Sequence, residues 1–156
     1  MSEIINSEMN FPVPEGFTVL SKEELAKMQA AEGTVEFAIR NEEEHILMNA
    51  AHKTVNGFFA KIVDLKDAIH NQEKSIARLS KARNYNCLGF EDYEIGGHEA
   101  KGFSYTYDVQ GIGMQGTSII TNNSKTFYYI YAYYRQAKAE ESLKIVNSIL
   151  EGISWQ

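Results

Sequence analysis

The run Thr126-Phe-Tyr-Tyr-Ile-Tyr-Ala-Tyr-Tyr134 puts bulky apolar side chains on both faces of any strand it forms. Alternate residues of an extended chain point to opposite sides. Phe127, Tyr129, Tyr131 and Tyr133 therefore share one face, and Tyr128, Ile130, Ala132 and Tyr134 the other. Such a strand is either central and roofed on both sides, or roofed on one side with the other face used for binding.

The rest of the chain supplies partners for it. In His98–Val109 the bulky Phe103, Tyr105, Tyr107 and Val109 alternate with the small Ala100, Gly102, Ser104 and Thr106. The small face would admit a helix closely, and the aromatic face needs its hydroxyls bonded or wet. Cys87–Ile95 and Gln115–Thr121 are also extended, with turns at Gly96-Gly97, at the glycines after Val109 and at Asn122-Asn123, so four strands form an antiparallel meander. Upstream, Thr34–Arg40 alternates Val35, Phe37 and Ile39 against Thr34, Glu36 and Ala38. It joins Ile46–Thr54 through the polar Asn41–Glu44 turn as a hairpin.

Helical signals fall in three places. Ser21 with Glu24 three residues on is a capping box, predicting a short helix from Ser21 to Ala31 ended by Gly33. Leu65, Ile69, Gln72, Ile76 and Leu79 line one face of a long helix over Asp64–Arg83, and Ala139, Leu143, Val146, Leu150 and Ile153 define a closing helix over Ala137–Glu151. Pro12 and Pro14 place the opening segment at an extended or edge position. The fold class is α+β: a central antiparallel sheet of about six strands with three helices. Length and a 44% hydrophobic content suit one domain over residues 1–156, with 1–10 a flexible N-terminal segment.

Charge and cysteine content exclude several functions. Fifteen Lys and Arg against 21 Asp and Glu give 15 − 21 = −6, which argues against a surface devoted to nucleic acid or anionic lipid. Cys87 is the only cysteine, so neither an intrachain disulfide nor a multi-cysteine zinc site can form. Apolar stretches are broken well before the ~18 residues of a membrane-spanning helix. Met1–Asn10 lacks a basic start and an apolar run, so a cytoplasmic location without membrane insertion is expected.

Several segments together are similar to Mog/PsbP-type domains. They are Tyr93-Glu-Ile-Gly-Gly-His-Glu-Ala100, Phe103-Ser-Tyr-Thr-Tyr107, Tyr128-Tyr-Ile-Tyr131, the closing helix with Ile149 and Ile153-Ser-Trp155, and the opening Phe11-Pro-Val-Pro-Glu-Gly-Phe17. The resemblance spans nearly the whole chain and rests on structural motifs. It implies an α/β/α sandwich around the antiparallel sheet. Known members include an extrinsic photosystem II subunit, a nuclear-transport factor that binds the Ran GTPase, and bacterial proteins without assigned activity. No shared catalytic set carries over, and a fold does not transmit function.

Candidate chemistry is sparse. Gly111-Ile-Gly-Met-Gln-Gly116 spells a dinucleotide fingerprint, but a strand follows it where the motif needs a helix, so it is a hairpin turn. His45, His52, His70 and His98 lack metal-ligand spacing and are expected as ordinary surface or strand residues, although folding could gather His98 with Asp108 or Glu99. Cys87 is expected as a small buried hydrophobe, and Lys74, Arg78 and Lys81 as a solvated ridge. The feature worth promoting is the tyrosine set. Its rings either fill space between sheet and helices or, as Tyr105, Tyr107, Tyr129, Tyr131 and Tyr133, leave an amphipathic binding surface. The expected function is a non-enzymatic protein-binding or assembly module with a protein partner, possible homodimerisation, and neither cofactor nor metal. The alternative is a small-ligand-binding or hydrolytic enzyme whose site assembles from His98, Asp108 and the tyrosines.

Overall fold

The computed structural model describes residues 1–28 and 33–156. In chain order its elements are β1 (Ser2–Ile5), β2 (Met9–Pro12), β3 (Thr18–Val19), α1 (Lys22–Ala26), β4 (Thr34–Asn41), β5 (Ile46–Thr54), α2 (Gly57–Ile62) and α3 (Leu65–Leu79). After a 3₁₀ turn at Lys81–Arg83 come β6 (Asn86–Ile95), β7 (His98–Val109), β8 (Ile112–Asn123) and β9 (Thr126–Arg135). A second 3₁₀ turn, Gln136–Lys138, leads to α4 (Ala139–Glu151) and β10 (Ser154–Trp155).

The two-faced aromatic run becomes β9, and it is central. Seven antiparallel strands lie in the order β3-β4-β5-β9-β8-β7-β6, so the meander β6 to β9 accepts the β4–β5 hairpin along β9. In this register Ile130 sits between Ala50 and Ile119, and Tyr131 between Asn49 and Ser118. A second sheet, β1-β2-β10, joins the two ends of the chain, with Trp155 opposite Met9.

Each face of β9 has its own core. On one, Ile5, Met9 and Phe11 of the small sheet and Val146, Ile149 and Leu150 of α4 cover Tyr128, Ile130 and Tyr134. On the other, Leu65, Ile69 and Ile76 of α3 cover Phe103, Tyr105, Ile120, Tyr129 and Tyr131. One outer layer is thus helical, while the other is a helix beside a small sheet. The described residues hold seven strands in the main sheet and four helices, against the expected six and three.

Several expectations need correction. Residues 1–10 are not a free tail: Asn6 and Ser7 take left-handed turn geometry, and Ile5 and Met9 are buried against the sheet. Pro12 ends β2 beyond the reach of β10, where its missing amide hydrogen leaves no bond unmade. In β4 a bulge between Val35 and Phe37 breaks the alternation, so Val35 packs on the α3 side while Phe37 and Ile39 pack on the other. The first helix, predicted from the capping box over Ser21–Ala31, starts as expected behind its Ser21 cap but ends at Ala26; residues 29–31 of the expected span lie outside the described residues. Helix α3 stops at Leu79, which is 74% exposed, and α2 precedes it unannounced. The β8–β9 turn takes its left-handed residue from Ser124 rather than Asn122-Asn123. The expected close helix over the small face of β7 is replaced at Gly102 by the ring of Tyr93: a Cβ there would stand 2.6 Å from Tyr93 Cε2 and 2.9 Å from the Ser118 carbonyl oxygen.

Gly102→Ala is therefore expected to lower stability by about 1–3 kcal/mol, because backbone as well as a ring must yield. Gly97→Asn, in a left-handed turn with nothing near its Cβ, is expected to change it by less than ~0.5 kcal/mol. Urea unfolding midpoints compare the two.

Candidate functional site

The tyrosine face of β7 and β9 lies under α3. Asp64 caps that helix through its side chain, which accepts from Lys66 N at 2.8 Å, and the spacing of Leu65, Ile69, Gln72 and Ile76 turns one stripe to the sheet. Gln72, 2% exposed, sits at the centre of the contact. Its Nε2 donates to the Tyr131 hydroxyl at 3.0 Å, and its Oε1 accepts from Ser118 Oγ at 2.6 Å. Beside it, rings step along β7 from Phe103 to Tyr105 to Tyr107 with centroids 5.6 and 5.5 Å apart. Phe90, stacked on His70, extends the row at one end. Gly116 makes room for Tyr105, whose Cζ would lie 2.5 Å from any Cβ there.

This roof divides the five tyrosines put forward as a binding surface. Tyr131 is 1% exposed and Tyr105 4%, so neither can meet a partner without moving α3. Tyr129 lines a cavity of about 520 Å³ along the flank of α3, together with Val55, Phe59, Ala68 and Phe127. Tyr107 and Tyr133 line a second cavity of about 710 Å³, where strands β4, β5, β7, β8 and β9 form the walls and no α3 residue contributes. The continuous aromatic platform thus gives way to a packed centre with an opening at each end.

Two features at these openings lay outside the sequence reading. Beside the smaller cavity, Asn56 caps α2 by accepting from Phe59 N at 2.9 Å. That six-residue helix buries none of its residues, leaving Phe58, Phe59 and Ile62 at 73%, 54% and 60% exposure. The cap and the aromatic pair were visible in Asn56-Gly-Phe-Phe59, but the helix is too short to show a period. In the larger cavity, Asn49 interrupts the apolar Ile46–Ala51 stretch of β5. It is 1% exposed and its Oδ1 has no hydrogen-bond partner among the described residues. An unpaired buried carbonyl costs about 1–3 kcal/mol.

Burial governs the phenols. It pushes the Tyr107 hydroxyl up to about 12, with Arg83 opposing. It raises Tyr105 and Tyr133 further; for Tyr133 the neighbouring Tyr107 adds to the effect and a hydrogen bond from Asn49 opposes it. These phenols therefore keep their protons at neutral pH.

The proposed enzyme centre does not assemble. His98 and Asp108 sit at opposite ends of β7, ten residues apart, or about 33 Å along an extended strand. His98 stacks on Trp155 at 4.6 Å and its Nδ1 bonds the Asn122 carbonyl at 3.0 Å, while Asp108 accepts from Asn84 Nδ2 at 3.4 Å. The other histidines are separately engaged. His52 Nε2 pairs with Glu36 at 3.0 Å, His70 Nδ1 bonds the Lys66 carbonyl at 2.8 Å, and His45 occupies a left-handed turn. Among the described residues no three His, Cys, Asp or Glu side chains gather as a metal site. Among the described residues no helix is long and apolar enough to cross a membrane.

No protein-family model matches the sequence, and no curated protein matches it. Solved structures do. The chain is similar to cyanobacterial PsbP (CyanoP) from Synechocystis sp. PCC 6803, with TM-score 0.71 and 10% identity over 100% of this chain and 92% of that one. It is similar to LpqN of Mycobacterium tuberculosis, described as involved in cell envelope biogenesis, with TM-score 0.62 and 12% identity over 95% and 83%. It is also similar to the Saccharomyces cerevisiae Ran-binding protein Mog1p, with TM-score 0.53 and 15% identity over 91% and 79%. The two-roofed antiparallel sheet is that of a small α+β domain class. Its fold is Mog/PsbP-like.

Two outcomes follow from the packed centre. Gln72→Leu removes a carboxamide serving both Tyr131 and Ser118 and is expected to cost about 1–3 kcal/mol in urea unfolding. The raised phenols give stability a definite pH dependence. Below pH ~10, the ordinary phenol value, folded and unfolded chains hold the same tyrosine protons. Above it the unfolded chain releases protons that the folded chain keeps, so the unfolding free energy falls as pH rises through 10 towards 12. Urea titrations at pH 9, 10 and 11, with phenolate absorbance followed at each, check this sign.

Proposed function

We propose that this protein is a non-enzymatic protein-binding or assembly module whose partner seats apolar side chains against α2 and the smaller cavity beside it. The observation that carries the reading is the exposure of Phe58, Phe59 and Ile62 on one short helix that buries nothing. Three large apolar side chains together in water are typical of a contact surface, whereas scattered single ones are not. Phe59 also lines the cavity, so the helix and the hollow form one surface, to which Tyr129 contributes its floor. Among the five tyrosines, this assigns partner contact to Tyr129 and leaves Tyr105 and Tyr131 to packing; Tyr107 and Tyr133 belong to the other opening. The separation of His98 from Asp108 counts against the hydrolytic alternative. The Ran-binding description of Mog1p supports a protein partner in general terms, without identifying this one.

The test uses Phe58→Ser with Ile62→Ser. Both side chains are more than half exposed, so unfolding free energy is expected to change by less than ~0.5 kcal/mol per site. Co-purification of a partner at constant stoichiometry from native extract is expected to fall at least tenfold, equivalent to ~1.4 kcal/mol of binding. Unchanged capture by the folded variant would count against the reading. Sedimentation across protein concentration identifies the competing occupant, a second copy of the chain, if the patch drives dimerisation.

A further inference from the structure

The larger cavity points to something different from a partner surface. It lies at the opposite opening of the tyrosine face, with Leu47, Tyr107, Met114 and Tyr133 among its lining. Its volume of about 710 Å³ falls within the range of small-molecule sites, which are mostly apolar with a few placed polar groups. One such group is Asn49. It is 1% exposed, and its Oδ1 is shut away from water with no partner among the described residues. A buried carbonyl left unpartnered costs free energy, and a donor that reaches it recovers a hydrogen bond.

The charge at the rim narrows the ligand class. Apart from His45, Arg40 is the one basic residue among the described lining residues; its Nη1 pairs with Glu24 at 3.1 Å, and its Nε lies 3.4 Å from Glu42 without completing a hydrogen bond. An anionic ligand would have to displace a carboxylate, and a cationic one would face that guanidinium. Two phenol rings in the lining favour a flat molecule able to stack.

We propose that this cavity is a small-molecule site for a neutral, flat, largely apolar compound carrying an N–H or O–H donor, which bonds Asn49 Oδ1 while its body packs among Leu47, Tyr107, Met114 and Tyr133. The reading is independent of the partner surface at α2: Phe58 and Ile62 do not line this cavity, so loss of either function leaves the other to be measured.

Indole and 1-methylindole are suitable probes, since both are flat and neutral and only the first has an N–H. Binding is read by amide and methyl chemical-shift titration of the whole chain. Indole is expected to shift Leu47, Asn49, Met114 and Tyr133, and to bind about fivefold or more tighter than 1-methylindole, as expected for one net hydrogen bond. Asn49→Leu, close in size and without the orphaned carbonyl, is expected to keep or gain thermal stability and to bind the two probes equally. Met114→Trp is expected to fill the cavity and abolish both titrations. The proposal is overturned if indole shifts no lining residue of the wild type, if the wild type binds both probes alike, or if Asn49→Leu still prefers indole. The wild-type comparison decides the matter even where a variant fails to fold.

Discussion

Strand β9 presents large side chains on both faces, so burying either face alone leaves about half of its aromatic surface in water. The hydrophobic gain scales with area removed from water, and the chain realises it by building two roofs. One is α3. The other combines α4 with a small sheet made from both ends of the chain, where β10 pairs with β2. That arrangement gives the N-terminal segment a packing role: Ile5, Met9, Phe11, Val13 and Phe17 belong to the core that holds Tyr128 and Tyr134. Tyrosine rather than phenylalanine adds a second demand, since each buried hydroxyl requires a partner. Tyr128 donates to Glu8 and accepts from Asn6, Tyr131 accepts from Gln72, and Tyr134 meets Gln115 and Thr117. Gln72, Gln115 and Thr117 are buried polar residues that those hydroxyls bond.

Long, periodic segments were legible in the sequence. The stripe of α3, the alternation of β7, the meander order and the Ser21–Glu24 box depend on neighbours close along the chain. Local spacing therefore carries the information, and the capping bonds form as the residue types require, at 3.0 and 3.2 Å. The fingerprint-like Gly111–Gly116 was also readable from context: Gln110 and Gly111 form the left-handed turn, and Gly113 and Gly116 lie in β8. Even Gln72 was placed on the correct face, although its role required knowing that Tyr131 and Ser118 would come to lie opposite it.

What spacing could not supply is contact between distant segments. The bulge in β4 is set by pairing with β5 and appears in the sequence as unbroken alternation. Asn122 and Asn123 are good turn formers, yet strands β8 and β9 stay paired through both and leave the turn to Ser124 and Lys125. His98 and Asp108 looked combinable because nothing in a sequence states that both lie on one straight strand. The open tyrosine platform failed for a related reason. Periodicity showed which side chains share a face, but not how far α3 would extend over it.

That extent is itself a matter of geometry. Fifteen residues of α-helix span about 22 Å at 1.5 Å per residue, while the twelve-residue strands β7 and β8 run to about 40 Å at 3.4 Å per residue. A helix of that length lying over such strands leaves sheet uncovered beyond its ends, and the side chains there must be covered by something else. At one end the short helix α2 adds cover but brings its own exposed apolar residues. At the other, Tyr107, Tyr133 and Asn49 stand around a hollow that no α3 residue lines among the described residues. The smaller hollow runs along the flank of α3, lined by its Ala68, Asn71, Gln72 and Ser75, and the larger one lies where no described α3 residue reaches. The packing of α3 on the sheet thus sets both which tyrosine rings are sealed and where hollows remain.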